Sequence, residues 1–131
     1  MNDPENVVYS ACREEILSSF PSCDVSSVYV NQPSQFPHAS IEMKNSSATS
    51  LDSSDSEAMT TVMFEVNVYS NLEGTKKTEA KSIMAVIDNT MYGMNFGRAS
   101  CIPVPNMEDA TIYRLVARYY GKTDGTHFYR R

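Results

Sequence analysis

Met59–Met91, MTTVMFEVNVYSNLEGTKKTEAKSIMAVIDNTM, changes its hydrophobic period part-way along, and that change decides the fold. Val62, Phe64, Val66 and Val68 alternate with Thr61, Met63, Glu65, Asn67 and Tyr69, the two-residue period of a half-buried strand. Past Asn71–Gly74 the period becomes helical, with Ala80, Ile83, Met84, Ile87, Met91 and Met94 on one apolar stripe. A strand with one apolar face and a helix with one apolar stripe, joined by a short turn, bury those surfaces against each other.

The bounds around this unit are ordinary. A chain of 131 residues is one domain by length and can bury a real core. Hydrophobic content of 41% and charged content of 21% are those of a globular protein. A formal charge of −5 argues against nonspecific binding to a nucleic-acid backbone, which needs a basic surface. No apolar run approaches the roughly 18 residues of a membrane span, and the first residues lack the regions of a signal peptide. Synthesis in the cytoplasm is the expectation. The three cysteines, Cys12, Cys23 and Cys101, are widely spaced, and His38 and His127 lie far apart. A structural zinc site is not expected from such spacing; the thiols read as buried small side chains.

In chain order, Asp3–Pro4 starts a helix over residues 4–19, with Val8, Cys12, Ile16 and Phe20 on its apolar side and Pro21 as its stop. Val28–Val30 reads as a first short strand, and Ala39, Ile41 and Met43 as the inward positions of a second. Residues 45–57, NSSATSLDSSDSE, hold six serines and read as a long mobile loop, since they offer little apolar surface to offset ordering. Thr75 caps the second helix and Gly93 ends it, while Lys76 and Lys77 in its first turn oppose the helix dipole. Arg98–Val104 and Thr111–Tyr120 are further strands, and His127–Arg131 returns beside the latter as an edge. The expected fold class is α+β: a single mixed, mostly antiparallel β-sheet with two α-helices packed on one face.

Reactive constellations are not apparent. There is no GxSxG, P-loop, dinucleotide fingerprint or HExxH. Glu108 and Asp109 are better explained as solvated turn residues than as an acid/base pair, and His38 as a satisfied histidine than as a general base. No catalytic, cofactor-binding or metal-binding residue is assigned. The row Ile112, Arg114, Val116 and Arg118 on one side of the last long strand is the candidate subunit interface. Its arginines project about 13 Å apart, too far to clamp one phosphate, and its branched aliphatics exceed what a solvated sheet face needs. A plain solvated face is the competing explanation.

Several stretches resemble a known family, the tail terminator (tail completion) proteins of long-tailed siphophages, often labelled minor capsid proteins. They are QFPHASIEM at 35–43, VMFEVNVYSN at 62–71, KKTEAKSIMAVIDNTM at 76–91 and PVPNMEDATIYRLVARY at 103–119, with FYRR at the end. Together they cover about half the chain in one order. The resemblance implies a small α/β domain that assembles as a hexameric ring on the head-proximal end of the tail tube. There it ends tube polymerisation and offers the docking surface for the head. The implied partners are further copies of the chain, the tail tube protein and the head completion or connector protein. No membrane, cofactor, enzymatic activity or specific nucleic-acid binding is implied, and the ring leaves a path for DNA. The implied location is the virion, after assembly in the host bacterial cytoplasm. A head closure protein or a tail assembly chaperone is the alternative within the same pathway, and a small-molecule-binding or enzymatic α+β domain the alternative outside it.

Overall fold

The computed structural model describes residues 4–28, 33, 35–51, 58–71, 74–104, 112–123 and 128–129. Its elements are α1 (Pro4–Ser19), β1 (Asp24–Ser26), β2 (His38–Leu51), β3 (Ala58–Ser70), α2 (Lys76–Gly93), β4 (Gly97–Pro103), β5 (Tyr113–Thr123) and β6 (Phe128–Tyr129). The strands form one mixed sheet in the order β1-β2-β3-β5-β4, with β6 beside the far end of β5. Among the described residues only the β1–β2 pairing is parallel. The α+β class and the helix-backed sheet are as expected.

Both periodicities end in one core. Val62, Phe64, Val66 and Val68 of β3 are fully buried, as are Val8, Cys12 and Ile16 of α1 and Ala80, Ile83, Ile87 and Met91 of α2. Leu115, Ala117 and Tyr119 extend the same core along β5. Each fully buried aliphatic side chain contributes about 1.5–3 kcal/mol, so this stripe-on-face contact holds the helices to the sheet. Phe96, just after α2, packs edge-on to Phe64 with ring centroids 5.6 Å apart. A side chain at Gly121 would meet the Phe96 ring at 2.9 Å, so β5 carries glycine where this ring crosses it.

The helix ends follow local rules. Gly74 takes φ of 84° in the turn before α2, a conformation open to glycine. Thr75 is the N-cap residue but makes no side-chain capping bond. The expected stop at Gly93 is the last helical residue, and the left-handed residue is Asn95, with φ of 68°.

Three sequence expectations are corrected. The first strand lies at Asp24–Ser26, not Val28–Val30; Val28 is an exposed bend, and residues 29–30 lie outside the described set. Residues 45–51 are not loop but the distal half of β2, paired with residues 58–63 of β3 through two register shifts. The backbone ladder to β3 satisfies their amide groups whatever their side chains are. Residues 52–57, and the mobility expected of them, lie outside the described set. The last long strand starts later than expected and runs on to Thr123.

Candidate functional site

Arg114, Val116 and Arg118 of the row proposed from sequence fall on one face of β5, opposite the helices, because Leu115, Ala117 and Tyr119 point into the core; Ile112 is a bend residue just before the strand. Its members are not equally free. Ile112 and Val116 are each only 8% exposed. Arg114 is half-buried; its Nε donates to Asn67 Oδ1 at 2.9 Å, and its guanidinium lies 5.9 Å from the Tyr69 ring centroid. Arg118 is more exposed and its Nε donates to Glu65 Oε2 at 3.1 Å. Both arginines are therefore largely answered by cross-strand neighbours on β3, as the register dictates. Beyond β5 the row continues onto β4, where Ile102 stands opposite Val116 and is 56% exposed.

A second cluster was not legible beforehand. His38, buried on β2, lies between two residues of β1: its Nδ1 is 3.0 Å from Asp24 Oδ2 and its Nε2 is 3.1 Å from Ser26 Oγ. Parallel pairing sets His38 beside Asp24, and the pleat puts Asp24 and Ser26 on one side. The atom order is that of an Asp–His–Ser triad, but the Ser26 hydroxyl donates to the Val28 carbonyl at 2.8 Å. Ser26 thus offers the imidazole a lone pair rather than a proton, the reverse of what an activated nucleophile needs. The cluster fastens the three-residue edge strand to β2, assisted by the Tyr9 hydroxyl donating to the Val25 carbonyl at 3.1 Å. His38 is thus a satisfied histidine. Glu108 and Asp109 lie outside the described residues.

The third feature is a groove of about 560 Å³ between α2 and β4. Met84, Leu115, Tyr113 and Pro103 give it apolar walls, and Lys77, Lys81 and Arg98 give it cations. Arg98 Nη1 is 3.5 Å from Asp88 Oδ1, which also accepts a hydrogen bond from the Tyr119 hydroxyl at 3.1 Å. Burial first, and then the Asp88 charge, raise the Tyr119 phenol well above its ordinary range. Lys77 lies 6.0 Å from the Tyr113 ring centroid. Among the described residues neither Lys77 nor Lys81 has a carboxylate partner. The only trace of this in the sequence was the pair of lysines set against the dipole of α2.

The cysteines are unpaired; Cys12 and Cys23 are buried, and Cys101 is partly exposed at the groove. Among the described residues no three His, Cys, Asp or Glu side chains gather where they could hold a metal ion. Nor is any helix there long and apolar enough to cross a membrane. Burial pushes the Cys12 and Cys23 thiols from 9.0 up to about 12, helped at Cys23 by the Asp24 and Glu79 charges. The unfolded chain sheds these protons near 9.0 and the folded chain near 12, so the folded state holds more protons in between. Stability is expected to fall as pH climbs through that window. Urea midpoints across it measure the fall, and Cys12→Ala is expected to flatten it; equal slopes in the two proteins would contradict the assignment.

No known family model matches the chain, and no curated protein does. A solved structure does: the chain shares its fold with a virion chain. The match is to a chain of a structure described as the virion of a native gene transfer agent particle, with a TM-score of 0.68 and 14% sequence identity. It covers 91% of this chain and 92% of that one. At this identity the likeness is one of fold.

Proposed function

We propose that this chain is a structural protein of a virion, and within it a tail terminator. Copies form a hexameric ring that caps the head-proximal end of a tail tube, stops addition of tube subunits and presents the surface to which the head connector docks. The work is done by binding, with no chemical step and no cofactor. The observation that carries this reading is the end-to-end fold correspondence with a chain of a virion particle. The segments that resemble tail terminators give it its finer content.

The architecture suits such a role. A closed ring needs a heterologous contact, one patch on each subunit meeting a different patch on the next. A sheet whose end strand β4 has no further strand beside it among the described residues offers backbone and side chains for that contact. The row Ile112, Arg114, Val116 and Arg118 continues onto β4 through Ile102, so it belongs to the proposed interface on this side of the subunit.

Deleting the gene tests the reading. Tails of abnormal length that cannot join heads are expected, and purified protein added to growing tubes should halt their extension. Tails of normal length in the deletion would refute it; a deletion that loses tails altogether would point to an assembly chaperone instead.

A further inference from the structure

The two sides of the subunit carry opposite charge, and four of the charged groups, Lys77, Lys81, Glu14 and Glu15, have no ion-pair partner among the described residues. α2 packs over β3 and β5 and forms the groove with β4, whereas α1 packs over β2 and, through Tyr9, over β1. The groove therefore lies on one flank and α1 on the other. On the groove side, Lys77 and Lys81 are exposed and lack a carboxylate partner among the described residues, and Arg98 stands beside them. Lys77 also sits in the first turn of α2, where its own helix dipole disfavours a cation and an approaching carboxylate would be doubly favoured. Beside α2, α1 carries Glu5, Glu14 and Glu15 against a single base, Arg13, with Glu15 at the rim of a second groove that α1 forms with Val86, Asn89, Thr90 and Gly93 of α2. Glu14 and Glu15 are exposed and have no cationic partner among the described residues.

We propose that the groove between α2 and β4 receives the exposed acidic end of α1 from a second copy of this chain, Glu14 and Glu15 meeting Lys77 and Lys81. The inference rests on the ring reading above and gives that ring its polarity: each subunit offers a basic flank to one neighbour and an acidic flank to the other. A contact of this kind is heterologous, so it can close a ring, whereas a self-complementary patch would stop at a dimer. Matched charge also sets the direction in which copies add and disfavours like flanks meeting. The apolar groove walls, Met84, Leu115, Tyr113 and Pro103, supply the desolvated centre that a rim of ion pairs alone would lack.

Charge exchange tests it, with assembly measured by mass photometry of the full chain, alone and with tail tubes. Lys77→Glu with Lys81→Glu, and separately Glu14→Lys with Glu15→Lys, are all surface changes and are expected to leave the circular-dichroism spectrum intact. Each pair is expected to weaken assembly on the order of tenfold at low salt and less at high salt. Combining both pairs restores opposite charge and is expected to recover wild-type assembly. Insensitivity to either reversal, or a combination no better than its parts, would overturn the proposal while leaving the ring standing. Loss on reversing the lysines but not the glutamates would also overturn it, the acid then coming from another protein. A wild-type chain that never assembles, alone or on tubes, would remove the ring and this contact with it.

Discussion

Phe64→Ala is expected to destabilise the protein by about 3–5 kcal/mol, the range for deleting a fully buried aromatic ring. Phe64 is completely buried at the middle of β3, within the core that the helices cover. Its loss removes the transfer energy of the ring and leaves a cavity that the neighbours cannot readily fill. Phe96 is held edge-on against it, at 78° between ring planes, and is backed by Gly121, where even a Cβ would stand 2.9 Å from the Phe96 ring. Phe96 could tip into the void only by giving up its own fit over β5. Against a typical total of 5–15 kcal/mol, such a loss leaves little reserve. Urea unfolding measures it, with the midpoint falling while the slope holds. A loss under about 1 kcal/mol would mean that the core collapses around the gap, contrary to its close packing.

His38→Ala is expected to cost about 2–4 kcal/mol and to act locally. The ring is 2% exposed, so its removal leaves a void as well as two orphaned hydrogen-bond partners. The Asp24 side chain is 43% exposed and can turn to water, which keeps the cost below that of a deeply buried ion pair. What fails is the fastening of β1, which has only three residue pairs with β2. Hydrogen exchange should therefore quicken at Val25 and Ser26 while β3 and β5 keep their protection. Asp24→Asn, which keeps a hydrogen-bonding group beside the ring, is expected to cost less. Uniform acceleration across the sheet, or no acceleration at β1, would show that His38 is not the fastener.

Much of the architecture could be read from residue order because it rests on local periodicity. The bounds of α1 came from Pro4 and Pro21, and the stripe Ala80–Met91 and the alternation Val62–Val68 each marked a buried face directly. Where pairing partners are distant in sequence, the reading failed. Asp24–Ser26 has no alternation of apolar residues; it is a strand because His38 captures Asp24 and Ser26 across 14 and 12 residues of chain. Residues 45–51 look like loop by composition and are strand because β3 lies alongside. The row on β5 was found, but the cross-strand partners Asn67 and Glu65 that occupy its arginines were not, since register is not written in either strand alone. The groove was invisible for a similar reason: its walls come from α2, β4 and β5, which meet only through packing.

The irregularities in the ladders also bear on how the protein stays in solution. Along most of β2 and along β4 the outer rim meets no further strand among the described residues, which ordinarily invites ribbon-like stacking of chains. Each rim is broken: the β2–β3 ladder slips between Met43 and Asn45 and again between Ala48 and Ser50, and the β4–β5 ladder slips between Arg98 and Ser100. Such kinks deepen the local twist and interrupt the flat row of amides that a fibril would copy. The open edges are thus poor templates for an endless tape of strands, a safeguard that any sheet with bare rims needs.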